Sequence, residues 1–484
     1  MDNIDKKKEL QECKSEQCTI EARKMLRRKL DLLLRTGELL VESSADTSRI
    51  LRNMKRCAAY LGLPEDSLHI HVTYNMLQVN LSDEEHSFSK FQRCDKHGIN
   101  MTTIQDISKL TWEAISQDYS LEKYSEELER IATAKRSYSE WMVAICAGFA
   151  CGGFCIQFGG DWPAFFYASI AAILGNRFRM YLNHLGSNVF FNIAVAAFVS
   201  TLIAWLTAQI STPAAMAFIP KILQPLLIST TPWHPMMACA LFIVPGVPLI
   251  NFVSDMLDNH IEVGLVRATN TLLMIFAMSF GIALAIKCFG IDCFVHELSM
   301  TPHHKFWEYA LAAAVSSMGF ATIFNVPKRL MLWIAIGGII AVCSRNFINL
   351  GPANGNIGLG MGPIVGTLCG TAIVSIINIK VVHLLHTPHQ CITIPIGIPM
   401  VPGVLMYRAL YGIINMQGVV GEVTFATHNA INGSLLIIMI AIGVAIPNVF
   451  ARKWIAPNRK KKLARLIEER KARGKFIDLH EFSV

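Results

Sequence analysis

The sequence predicts a polytopic α-helical membrane protein, with ten transmembrane helices as two inverted five-helix repeats and a small N-terminal α/β cytosolic domain. Three observations carry the prediction. A long central stretch is nearly free of charge, uncharged runs recur within it in a fixed order, and the first segment mixes helical with strand periodicity.

The charge distribution comes first. The chain has 484 residues, a net charge of +8, 52% hydrophobic and 17% charged residues. Residues 1–140 hold 22 basic and 24 acidic side chains, residues 141–451 hold 11 and 8, and residues 452–484 hold 11 and 4. A water-soluble domain as large as the middle segment needs a far more polar surface, so that segment belongs in a bilayer. The basic excess sits in a short tail, which excludes a nucleic-acid partner as the meaning of the +8. The N-terminus is highly charged and carries no apolar signal-peptide stretch. The 13 cysteines form no CxxC pair, and Cys146, Cys151 and Cys155 lie in apolar runs, where they read as reduced core residues.

Charged residues divide the middle segment into runs at 141–160, 162–176, 185–220, 222–254 and 268–286, then 309–327, 330–344, 346–379, 381–407 and 423–451. Each run is long enough for one span with its loops, and the two series have similar lengths in the same order. Ile243-Val244-Pro245-Gly246-Val247 matches Met400-Val401-Pro402-Gly403-Val404. Asparagines near Gly186 (Asn183, Asn188, Asn192) parallel Asn346, Asn349, Asn354 and Asn356 around Gly351. Five spans per copy is an odd number, so the second copy enters from the opposite side, as in many secondary transporters. Lys135 and Arg136 before the first span, and Arg452, Lys453 and Arg459 to Lys462 after the last, place both termini in the cytoplasm. The expected organisation is a disordered 1–20, a cytosolic domain 21–138, membrane repeats 139–290 and 306–451, and a basic cytoplasmic tail 452–484.

The site is expected at Pro245-Gly246 and Pro402-Gly403. Prolines 225, 232, 235, 245 and 248 in one copy, and 388, 395, 399 and 402 in the other, break the helices at equivalent places. Broken backbone at membrane depth is tolerated where it is buried in protein or lines a cavity. A half-helix beginning there turns its positive end toward a carboxylate; the alternative is a kink that serves packing alone. Asn251 and Arg408 stand equally far after the two glycines. Asp255 and Asp258, three apart, would share a helix face and bind an ammonium group or a proton, with His260 and Arg267 beyond them. A solvated loop with an ordinary ion pair explains the same residues. Glu422 and His428 are the second-copy counterparts, Glu422 as a further proton-coupling candidate.

Weaker signals read structurally. His383, His386 and His389 suit an interfacial loop better than zinc, and His303-His304 is weaker still. Gly358, Gly360, Gly362, Gly366 and Gly370 read as close helix packing within a span rather than a dinucleotide loop. In the soluble part, Met25, Leu26, Leu30, Leu33, Leu34, Leu40 and Ile50 recur at helical spacing. Residues 68–81 alternate as strands, and 103–138 return to helix. His69 and His71 on one strand face do not make a metal site. The helical tail 457–475 suits the surface of an anionic leaflet, or plain solvent.

The residues resemble the threonine/serine exporter family over about residues 25–450. Ser43-Ser44-Ala45-Asp46-Thr47-Ser48-Arg49 is similar to its Ser-Gly-Ala-Glu-Thr-x-Arg stretch, with Ser44 in place of the glycine. His71-Val72-Thr73 resembles its short strand motif, and Phe158-Gly159-Gly160-Asp161-Trp162 its GGDW turn. Val244-Pro245-Gly246-Val247-Pro248-Leu249-Ile250-Asn251, followed by Asp255, Gly264 and Arg267, keeps the family's spacing. Val401-Pro402-Gly403 with Tyr407-Arg408 resembles the companion domain, a separate polypeptide in some bacterial relatives, which fits a boundary near 290–305. The resemblance implies proton-driven export of threonine and serine from the cytoplasm across a bacterial-type inner membrane. Some two-part relatives are associated instead with succinate-like dicarboxylates, for which Arg267 or Arg408 would hold the second carboxylate.

The expected partners are therefore a small-molecule substrate, protons and the lipid bilayer, with no cofactor, no metal and no nucleic acid; homo-oligomers are compatible with the sequence. The protein is expected not to be an enzyme. A membrane-anchored enzyme or signalling protein acting through residues 21–138 is the remaining alternative, and no nucleophile-and-base constellation or Walker loop supports it.

Overall fold

The computed structural model describes residues 2–82, 87–290, 304–352, 357–414, 420–454 and 456–476. The chain forms two compact units. The first comprises residues 1–135, 258–263 and 452–484, and the second 136–257 and 264–451. His303, Asn354, Asn356 and most of the expected repeat boundary at 290–305 lie outside the described residues.

The first unit opens with α1 (Asp2–Glu42), a helix continuous through residues 2–20, where composition suggests disorder. Its first 35 residues contain neither Gly nor Pro and are rich in Lys, Glu, Gln and Arg, all good helix formers. Gly37 then admits a neighbouring layer: a Cβ there would stand 2.7 Å from Met54 Sδ and 2.8 Å from Leu77 Cδ1. The turn into α2 (Thr47–Leu61) holds Ser44 at φ 61°, in the left-handed region that favours glycine. Ser44 stays there while its hydroxyl donates to Gly98 O at 2.7 Å. Asp46 caps α2 by accepting from Arg49 N–H at 3.2 Å.

Strands β1 (Leu68–Val72), β2 (Met76–Ser82) and β3 (Ser87–Arg93) form one antiparallel sheet in that order, with Ile70 opposite Val79 and Asn80 opposite Ser89. The alternating Leu77, Val79 and Leu81 of β2 are fully buried, while His69 and His71 share the exposed side of β1. Helices α3 (Met101–Gln117) and α4 (Leu121–Thr133) complete the core around Leu33, Ile50, Met54, Ile107 and Tyr124.

The second unit is helical: α5 (Glu140–Gln157), α6 (Trp162–His184), α7 (Val189–Ala208), the short α8 (Pro213–Met216) and α9 (Gln224–Leu227), α10 (His234–Ala238), α11 (Gly246–Leu257) and α12 (Ile261–Cys288). It continues with α13 (Phe306–Ile323), α14 (Met331–Asn349), α15 (Pro363–Leu384), α16 (His389–Gly397), α17 (Gly403–Ile414) and α18 (Val420–Trp454). The last helix, α19 (Ala456–Ala472), belongs to the first unit. Among the described residues six helices are long and apolar enough to cross a membrane, or up to eight if the bent pairs α10–α11 and α16–α17 each count as one span. The sequence reading of ten adds α6 and α13. Neither is among the six, and both bury polar residues: Asn176 of α6 and Ser316 and Ser317 of α13. The protein is thus a polytopic helical membrane protein. Its α12 exposes Leu265, Leu272, Phe276 and Phe280, an apolar surface suited to lipid.

The two halves pack alike. Helix α6 lies against α5 and α7, and α14 lies against α13 and α15. The pre-break helix α10 touches α5, α6 and α7, and α16 touches α13, α14 and α15. Between the halves α5 meets α13 reciprocally. A Cβ on Gly153 would stand 2.3 Å from Ser316 Oγ and 2.7 Å from Ala312 O; one on Gly319 would stand 2.7 Å from Ala150 Cβ and 2.4 Å from Cys146 O. Asp161 of the GGDW turn caps α6 through Ala164 N–H and accepts from Ser229 Oγ at 2.7 Å and Thr230 N at 2.6 Å, anchoring the chain that leads to the first break.

The glycine-rich stretch divides in two. Gly366 and Gly370 pack α15 on α14 as expected, but Gly360 (φ 65°) and Gly362 (φ 85°) sit in the turn before α15, not in a span.

Candidate functional site

The site is built from two breaks. Each consists of a short helix ending in a 3-10 turn, a Val-Pro-Gly link and a twelve-residue helix. The axes bend by 62° between His234–Ile243 and Gly246–Leu257, and by 54° between His389–Met400 and Gly403–Ile414. Proline explains the interruption, since it removes a donor and restricts the preceding residue. The local turn is the same twice: Gly246 N–H donates to Val244 O, and Gly403 N–H to Val401 O, each at 2.8 Å. The glycine N–H groups are therefore engaged by their own turns. Donors for a carboxylate must come from the positions that follow.

The two breaks cross each other. A Cβ on Gly246 would come within 2.3 Å of Ile398 Cδ1 and 3.9 Å of Val401 Cγ2. A Cβ on Gly403 would come within 2.7 Å of Leu241 Cδ2 and 3.1 Å of Val244 Cγ2. One spacing in sequence relates Leu241 to Ile398, Val244 to Val401 and Gly246 to Gly403. Residue and counterpart thus contact each other's neighbours. Phe154 of α5 and Phe320 of α13 close the remaining sides, rings 5.7 Å apart and edge-on at 86°. The space left between these side chains is a cavity of about 10 Å³, room for one water.

Most of the polar candidates lie on the helices that follow the breaks. Asn251 is buried on α11, and Arg408 is buried on α17. Arg408 Nη2 donates to Met237 Sδ at 3.3 Å, so the second half's arginine reaches the first half's broken helix. Asp255 and Arg267, on α11 and α12, form a buried ion pair, Nη1 to Oδ2 3.1 Å. Asp258 lies one residue beyond the end of α11. Helix α11 ends at Leu257, Asn259 turns the chain at φ 65°, and Asp258 belongs to the first unit, where it accepts from Ser48 Oγ at 2.5 Å. His260 Nε2 lies 3.5 Å from the same hydroxyl. Glu422 stands half-buried in the first turn of α18, and His428 is exposed beside Asn432.

Of the three spaced histidines, His386 turns the chain at φ 48°, while His389 is buried, with Thr393 Oγ1 3.2 Å from its ring; the His383 side chain lies outside the described residues. Phe154, Phe320, Leu241 and Ile398 carry no polar group, so motif reading passed over them. The spacing that pairs the Pro-Gly motifs would have found the last two.

A helical membrane unit with two crossed, broken spans and buried charge beside them defines a secondary-transporter architecture. The chain belongs to the threonine/serine exporter family: one family model, described as a threonine/serine exporter, matches residues 31–289, and a second, threonine/serine exporter ThrE, matches residues 309–450. Among curated proteins it is 21% identical over 440 residues to "Threonine/serine exporter" of Corynebacterium glutamicum, covering 89% of this chain and 84% of that one. It is 20% identical over 397 residues to "Probable threonine/serine exporter" of Mycobacterium tuberculosis, 80% and 70% of the two chains. It is 26% identical over 263 residues to "Probable succinate transporter subunit YjjP" of Escherichia coli, 54% of this chain and 94% of that one. No solved structure matches the chain.

Proposed function

We propose that the protein exports threonine and serine from the cytoplasm by alternating access of two inverted five-helix repeats, driven by the proton gradient, with both termini cytoplasmic in a bacterial-type inner membrane. The reciprocal crossing of the two Pro-Gly breaks carries this reading: it places equivalent broken spans of the two halves around one centre, where a transporter of this architecture binds its cargo.

A parity argument supports ten spans. Residues 1–135, 258–263 and 452–484 form one unit, and segments of one unit share one side of a membrane. The chain between them must therefore cross an even number of times. Counting bent pairs as spans, three candidates lie in the first interval and five in the second. Helix α6 makes the first count even and α13 the second, which gives five spans in each half.

In this mechanism the substrate carboxylate lies at the first turns after Pro245-Gly246 and Pro402-Gly403, with Asn251 and Arg408 beside it. Asp255 is the coupling carboxylate, with Glu422 as the second-copy candidate. Arg267 competes with a proton or a substrate ammonium group for Asp255, so loading requires that pair to part. Export of a dicarboxylate is the second reading. Its support is the 25–26% identity of relatives named as succinate transporter subunits, a match confined to 54% of this chain where the exporters match 80–89%.

Counterflow in proteoliposomes with labelled threonine, serine and succinate, with and without a pH gradient, separates the two. Threonine and serine exchange accelerated by the gradient is the expected result. Succinate exchange alone would transfer the assignment to the second reading.

A further inference from the structure

We infer that Phe154 and Phe320 are the size-determining pair of the transport pathway and that, with Leu241 and Ile398, they seal it as a hydrophobic gate. The inference rests on the transport reading above and adds to it the residues that exclude larger solutes and stop leakage.

The gate lies at the reciprocal crossing of the two breaks. Each phenylalanine occupies the helix that meets its counterpart through reciprocal glycine contacts, so neither ring can shift without the α5–α13 seam. Both rings are buried, at 3% and 2% exposure. Each is also backed one turn later by a second ring, Phe154 by Phe158 at 5.8 Å and Phe320 by Phe324 at 5.9 Å. These supports hold the pair edge-on instead of leaving it free to rotate. Below the rings the breaks approach as closely as glycine permits, with Ile398 over Gly246 and Leu241 over Gly403.

Among the described residues no ionisable side chain lines this centre, and its volume admits one water. An ion or zwitterion there would lose its hydration without replacement, which is strongly unfavourable. A constriction of this kind stays closed by dewetting and opens only when its walls separate. A solute moving between the breaks must then pass between the two rings. Their bulk limits the side chain that follows the carboxylate, which favours small amino acids over larger aliphatic or aromatic ones.

The test uses the full-length protein in liposomes loaded with a pH-sensitive dye and assayed by counterflow with labelled threonine and leucine. Phe154→Ala and Phe320→Ala are each expected to raise the leucine-to-threonine rate ratio by about tenfold or more, the scale on which apolar pockets discriminate side-chain size. The double variant is expected to leak protons without substrate. Phe154→Leu and Phe320→Leu keep most of the packing and should show a smaller change in ratio. Gly403→Val is expected to slow transport, and Leu241→Ala in the same chain to restore it, because the two groups occupy the same space.

Alanine variants that elute as folded protein, keep the wild-type ratio and hold a pH gradient would overturn the gate. So would a Gly403→Val defect untouched by Leu241→Ala. If the wild type carries no amino acid, the transport assignment fails while the proton leak still reports on the seal. Should the alanine variants fail to fold, the leucine variants and the Gly403–Leu241 pair decide the question alone.

Discussion

Asp255 and Arg267 form an ion pair at 3.1 Å almost wholly removed from solvent, the carboxylate 1% and the guanidinium 9% exposed. Breaking such a pair is costlier than never having had it, because the remaining charge stays buried without compensation. Asp255→Asn is expected to lower stability by about 3–5 kcal/mol, read as a fall in the thermal midpoint of the detergent-purified protein. Arg267→Met in the same chain should recover most of that loss. Transport separates the roles: if Asp255 couples protons, the double variant regains stability but not gradient-driven counterflow. Full recovery of transport by the double variant would make the pair structural only.

Asp258 gives a contrasting case. Its partner is Ser48 of the first unit, and it stands beyond the end of α11. Asp258→Asn is expected to leave threonine counterflow near wild type where Asp255→Asn abolishes its gradient dependence. Ser48→Ala removes a hydrogen bond to a charged acceptor and should cost about 1–3 kcal/mol, measured by thermal unfolding. Equal transport defects in Asp255→Asn and Asp258→Asn would return Asp258 to the coupling site.

The contrast shows what the residues alone could and could not tell. Pro245-Gly246 and Pro402-Gly403 were legible because proline and glycine interrupt a helix through local chemistry, whatever surrounds them. The pairing of Asp255 with Arg267 was not. A three-residue spacing joins Asp255 to Asp258 only if the helix continues, and Asn259 at φ 65° turns the chain so that α12 returns alongside α11. Strand β3 was missed for a related reason: Ser-Phe-Ser-Lys-Phe-Gln-Arg alternates with no fully buried position, so its pattern is weak without the neighbouring β2. The crossing of the breaks was hidden too. Periodicity places a small residue on a helix but does not name the element it faces, as with Gly153 and Gly319.

The basic tail yields a prediction the sequence assigned to lipid. Arg470 is buried in the first unit, donating to Asp118 Oδ1 and to Tyr60 O, each at 2.6 Å, and Lys475 also pairs with Asp118. Gly62 caps α2 at φ 74°, and the Lys475 carbonyl lies where a Cβ would stand. Arg470→Ala should leave a buried carbonyl and carboxylate short of donors, at about 1–3 kcal/mol. Limited proteolysis is expected to cut the variant within 456–476 faster than the wild type, with little dependence on lipid composition. Protection that requires anionic vesicles would restore the membrane-surface reading.

Cys57 provides the pH-dependent test. It is fully buried, with Tyr124 OH 3.2 Å and Thr36 Oγ1 3.7 Å from its sulfur. Burial pushes its thiol from 9.0 up to about 11, because the thiolate would lose its water. The folded state thus holds the proton more tightly than the unfolded state. The resulting stability is fully present below about pH 9 and is lost as pH rises through about 11. Two outcomes follow. Iodoacetamide at pH 8 should label the exposed Cys288 readily and Cys57 only after unfolding. Unfolding midpoints of the wild type should fall between pH 9 and 11 relative to Cys57→Ala, which lacks the buried thiol and keeps Tyr124. Rapid labelling of Cys57 in the folded protein at pH 8 would mean that the α1–α2–α4 core around Thr36, Cys57 and Tyr124 opens far more often than its packing implies.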